Sequence, residues 1–206
     1  MTEQHSLMNY KKLLSYFYKL KKALFRDPRE EISLVVDAQE ILVRGILHPF
    51  FYSQSKKKLK EIAFLPPPKA NTVSLNRLRY CNAQFCKQHA KTINFPNNTY
   101  CGLVTIIIKD VLNASDKFED VDVKVIASPM DEHQNYIDTK TTKVFVDSLG
   151  LPMHADLTYQ ILNPPLEPYN PQTKLRKVAS EILKSANYYE DAFPNEDLWK
   201  GEIISN

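Results

Sequence analysis

The chain has 206 residues, 43% of them apolar and 25% charged, with a formal net charge of +3. That composition fits a globular chain with room for one sizeable core and excludes collagen-like and disordered classes. Three cysteines are too few for a disulfide scaffold, and no apolar run is long enough to cross a bilayer.

The small net charge conceals two unequal halves. Residues 1–100 hold 17 Lys or Arg and 7 Asp or Glu, a balance of +10; residues 101–206 hold 10 and 17, a balance of −7. Such a division marks a surface for nucleic acid or an acidic partner, or two halves that pack with complementary charge. Lysines interrupt the apolar positions of the N-terminus, MTEQHSLMNYKKLL, which a secretory leader does not allow. With an odd cysteine count, this predicts a cytoplasmic setting and no membrane partner.

In chain order, Leu7, Tyr10, Leu13, Leu14, Phe17, Leu20 and Leu24 recur at three- and four-residue spacing. They predict an amphipathic helix over 4–26, packed on the domain and ended by Asp27-Pro28. The apolar residues around Arg44-Gly45 predict a buried strand over 41–47. Residues 53–60 are a basic connection, and Pro66, Pro67 and Pro68 stop the short apolar segment before them. Residues 73–80 alternate as a strand, and Asn82 is the expected N-cap of a helix running to about residue 93. Tyr100–Ile108 carries the strongest strand signal, a near-continuous apolar run that predicts cover on both faces.

Residues 113–120 predict a polar loop, 121–125 a strand with one exposed face, and 128–143 a loop or hairpin end. Further strands are expected at 144–146 and 155–162. Four prolines over 163–171 predict an extended connector, and the spacing of Leu175, Val178, Ala179, Ile182 and Leu183 predicts a helix over 174–186. The last twenty residues read as an acidic, irregular tail.

This order predicts an α+β single domain with a mixed, mostly antiparallel central sheet flanked by N-terminal, middle and C-terminal helices. Its divisions are the helix at 1–27, the core at 28–187 and an acidic aromatic tail at 188–206.

The chain has four glycines and neither GxGxxG nor GxxxxGK[ST], which argues against a Rossmann or Walker-type nucleotide site. Cys81, Cys86, His89 and Cys101 have the ligand chemistry for tetrahedral zinc. Their C-x4-C-x2-H-x11-C spacing matches no compact zinc module, and buried cysteines are the simpler reading, so no metal and no cofactor is assigned. Arg44 is the more informative residue. An arginine embedded among apolar neighbours must be paired or functional, because burying its charge alone is costly. Either it pairs with Asp37 or Glu40, or it joins Ser74, Arg77 and His154 in a phosphate-binding cleft, where His154 would serve as acid or base. Lys56, Lys57, Lys58 and Arg79 would add electrostatic attraction.

The function expected on these grounds is binding of a phosphate-bearing ligand, RNA or nucleotide, through a basic arginine-containing surface. The first alternative is a non-catalytic adaptor that docks on a protein partner through its N-terminal helix and acidic tail. The second is an enzyme acting on a nucleotide or nucleic acid with His154 as acid or base.

Overall fold

The apolar runs of the sequence become the strands of one sheet in the computed structural model, which describes residues 30–93, 96–162, 164, 170–202 and 204. The helix expected over 4–26 lies outside the described residues. In chain order the strands are β1 (Ile41–His48), β2 (Tyr52–Ser53), β3 (Lys58–Leu59), β4 (Thr72–Arg77), β5 (Thr99–Ile107), β6 (Val121–Ala127), β7 (His154–Ile161) and β8 (Asn187–Glu190). Six of them form a sheet in the order β6-β7-β4-β1-β5-β8, every described pairing antiparallel, while β2 and β3 make a separate small hairpin. The chain is an α+β domain.

Among the described residues three α-helices cover the sheet: α1 (Ala83–Thr92), α2 (Ile108–Ser115) and α3 (Pro171–Lys184). Asn82 caps α1 as its sequence predicts, its side chain accepting from Phe85 N at 2.9 Å. Cys81 precedes the cap and Cys86 lies in the next turn. Their sulfurs sit 3.6 Å apart, both fully buried, as a staple that fixes how the chain enters the helix. α1 lies on the sheet face that carries Gly45. A Cβ at Gly45 would stand 2.2 Å from the Ala90 Cβ, so only glycine lets helix and strand come this close. α2 and α3 cover the other face, where Val121 and Val123 are buried with Leu175, Val178 and Ile182.

Three local expectations are corrected. The segment read as a loop over 113–120 begins inside α2, because the apolar run 103–108 crosses from strand into helix at Ile107 without a break in hydropathy. Residues 144–146 do not form a ladder; Val144 and Val146 are buried, and a single bridge joins Phe145 to Glu31. The tail is not irregular at its start, since Asn187–Glu190 pairs along β5 as an edge strand.

Beyond β8 the chain turns back across α1. Gln84, Lys87 and Lys91 are neighbours on one stripe of that helix. Lys87 Nζ is buried and pairs with Asp191 at 2.7 Å while donating to the carbonyls of Phe193 and Leu198 at 2.8 and 2.9 Å. Lys91 reaches Asp197, and Gln84 bonds Asp197 O and Trp199 N. Here the acidic half is fastened to the basic half.

Candidate functional site

Strand register decides which candidate residues share a face. Arg44 stands opposite Val104 on β5, and Leu42 opposite Arg77 on β4, so Arg44 and Arg77 project to the same side of the sheet. Asn76 stands opposite both Val43 and His154, which puts His154 on the other side. Ser74, opposite Asp156, is on the His154 side and exposed. The structure therefore does not bring Arg44, Ser74, Arg77 and His154 into one cleft.

Arg77 is fully buried and fully engaged. Its Nε and Nη2 form a fork onto Glu40 at 2.8 and 2.7 Å, its Nη groups donate to Ser33 O and Val35 O, and its guanidinium lies 4.8 Å from the Tyr80 ring. The carboxylate expected for Arg44 is thus taken by Arg77. Asp37, the other expected partner, accepts from Gln39 N within its own turn. Arg79 is half-exposed over Tyr80, with Glu30 at 3.6 Å.

Arg44 is the contrasting case. It donates to the carbonyl of Ala63 and rests 4.6 Å above the Phe51 ring. It makes no ion pair with a carboxylate among the described residues. Burial lowers its pKa to about 10, against a smaller opposing effect of Tyr159, so it remains a cation at neutral pH.

This cation sits in a cleft of about 550 Å³. Phe50, Phe51, Ile62, Leu65 and Pro66–Pro68 form its apolar walls, and Asn170, Gln172 and Arg176 complete it. Pro66–Pro68 are held in place by the turn before them: Ala63 O accepts from Arg44, and Phe64 O accepts from Tyr159 Oη at 2.5 Å. Asn170 is the N-cap of α3, so the positive end of that helix dipole lies at the cleft. Arg176 is half-exposed and tied to Glu61 at 2.5 Å. That bond, after a backbone bond of its own, holds the Glu61 carboxyl below its ordinary range. Lys56, Lys57 and Lys58 are exposed at the tip of the β2–β3 hairpin, and the positive charge of Lys58 reaches Glu61.

No family model, curated protein or solved structure matches the chain.

The opposite face carries a second group of polar residues, only one of which sequence reasoning placed in a site. His154 Nδ1 lies 2.9 Å from both the hydroxyl and the carbonyl oxygen of Ser128. Asn76 Nδ2 and His89 Nδ1 are 3.2 Å apart, and Tyr136 Oη donates to Asp156 Oδ2 at 2.9 Å. Burial first, and then the nearness of His154, lowers the His89 pKa to about 4. Burial also lowers that of His154, against Asp156 and the Ser128 backbone, which act the other way. His89 lies one helical turn beyond Cys86, and its ring reaches Asn76 on β4, a contact no local pattern announces. Of the four residues weighed as zinc ligands, Cys81 and Cys86 meet each other, while His89 turns to Asn76 and Cys101 bonds Ile46 O and Tyr188. Among the described residues no three His, Cys, Asp or Glu side chains are placed to hold a metal ion. No helix among them is long and apolar enough to cross a membrane.

Proposed function

We propose that the chain is a binding module for a small phosphate-bearing ligand, a mononucleotide first, held in the Arg44 cleft. The observation that carries this reading is the Arg44 guanidinium, a half-buried cation with apolar walls around it and no carboxylate paired to it among the described residues. Even partial burial of a charge without a partner is unfavourable, and on the same sheet face the fully buried Arg77 has its partner in Glu40. A ligand phosphate supplies for Arg44 what Glu40 supplies for Arg77, through the same planar fork. The α3 N-terminus and Lys56–Lys58 add attraction for an anion, and the cleft volume suits a small molecule. A flat apolar base has Phe50 and the three prolines to lie against.

The adaptor alternative has less support, because residues 191–199 are spent on α1 within the same chain. Acid-base chemistry by His154 on this ligand has less support as well, since His154 projects to the other face.

The reading is tested by thermal denaturation of the full chain with AMP, ADP or inorganic phosphate. A concentration-dependent rise in midpoint with AMP, absent in Arg44→Gln, is the expected result. No rise with any of the three, up to about a hundredfold excess over a millimolar affinity, rejects the reading.

A further inference from the structure

The face opposite Arg44 has the complementary deficit. Asn76, His154 and Asp156 are adjacent on the central strands β4 and β7 and are 4%, 2% and 5% exposed. Among the described residues Asn76 Oδ1 and Asp156 Oδ1 have no hydrogen-bond partner, and both are buried. Buried polar atoms are nearly always paired, so two unpaired oxygens in one small cluster call for a donor that the described residues do not provide. Both open valences are acceptors. His154 commits Nδ1 to Ser128, and Nε2 is its remaining ring nitrogen.

The cluster has an approach from outside. His89 touches Asn76 on one side and on the other lines a cleft of about 320 Å³. Phe85 and Leu151 give that cleft apolar surface; the exposed Glu132 lies on its lining with Asp131, whose carboxylate accepts from His133 N and from Asn135 within its own turn. Acidic residues alone would mean little here. Behind His89, which joins cleft to cluster, are two buried oxygens that accept and do not donate.

The geometry points to a binding site for a small primary amine, its ammonium passing His89 to reach the oxygens of Asn76 and Asp156 and its alkyl stem lying against Phe85 and Leu151. An ammonium offers three donors and no acceptor, which matches the open valences. Its positive charge is met by Asp156, whose other oxygen is fixed by Tyr136. This site is independent of the Arg44 cleft and takes a ligand of opposite charge.

The test is NMR titration of the full chain, following the Asn76 side-chain amide and the His89 and His154 rings. The probes are n-propylammonium, n-propanol and N-acetyl-lysine amide. Saturable shifts with n-propylammonium and none with n-propanol are expected. Asp156→Asn removes the charge at nearly constant shape and weakens amine binding by about tenfold or more. Tyr136→Phe keeps the carboxylate and changes binding by no more than about threefold. Tighter binding of n-propylammonium than of N-acetyl-lysine amide supports a small amine; tighter binding of the lysine derivative overturns that part of the proposal. Equal binding of amine and alcohol, or no saturable shift with either amine, overturns it altogether and leaves a trapped water as the donor. The comparison of amine with alcohol needs only the unaltered chain, so it stands even where Asp156→Asn does not fold.

Discussion

Arg77 and Arg44 begin from nearly the same position and end in opposite states. Both project from central strands to one face of the sheet, and both are surrounded by apolar residues. Arg77 has a forked carboxylate, two carbonyls and an aromatic ring around it. Arg44 has one carbonyl and one ring, and beyond them an open cleft. The difference is not in the strands that carry them but in what lies above. Over Arg77 the chain returns through Ser33–Val35 and Glu40; over Arg44 it returns through Ala63–Pro68, a segment that offers carbonyls and proline rings but no carboxylate. A buried cation satisfied within the fold is architecture; a half-buried one facing an open cleft without an anion is a site.

Removing the two arginines separately should break this comparison most sharply. Arg77→Ala leaves the buried Glu40 with only the half-exposed Arg79, 4.0 Å away, and about 3–5 kcal/mol of stability should be lost in urea denaturation. Arg44→Gln loses one hydrogen bond and one ring contact, and the expected cost is about 1–2 kcal/mol. Equal losses would mean that both arginines are structural. Gly45→Ala tests the other face, where the added methyl meets Ala90; about 1–3 kcal/mol should be lost, with little change in AMP binding at Arg44.

The histidine face should also declare itself in pH dependence. The ordinary His pKa of 6.5 falls to about 4 at His89 in the folded chain. Between those values the unfolded chain binds the extra proton and the folded chain does not. Stability from this group is therefore complete above about pH 6.5 and declines as pH falls toward 4. His154 works in the same direction. His89→Gln should flatten that decline in denaturation midpoints measured across the interval. The smallest effect belongs to the exposed Arg176–Glu61 pair: Glu61→Gln should change stability by roughly 0–1 kcal/mol, and a larger loss would make it part of the frame around the cleft.

How far the sequence foretold these regions follows from the range of the interactions in each. Local signals were read well. β1, β5 and α3 follow from hydrophobic periodicity, and α1 from its Asn82 cap. α2 was hidden because Ile107 and Ile108 belong to one apolar run, and hydropathy does not record a strand turning into a helix. β8 was hidden because NYYE becomes a strand only by pairing with β5. The site was half legible. That an embedded arginine needs a partner could be read at Arg44, but which arginine obtains Glu40 depends on a contact spanning 37 residues. The pairing of Asn76 with His89 and of Tyr136 with Asp156 likewise depends on how α1 and the loop before β7 settle on the sheet.

The central claim is that Arg44 awaits an anion, and isothermal titration of AMP into the unaltered chain and into Arg44→Gln tests it most directly. Saturable one-to-one binding is predicted, weakened about tenfold or more by the substitution and weakened further by added salt. Binding of equal strength in both proteins, or none in the unaltered chain, would contradict it.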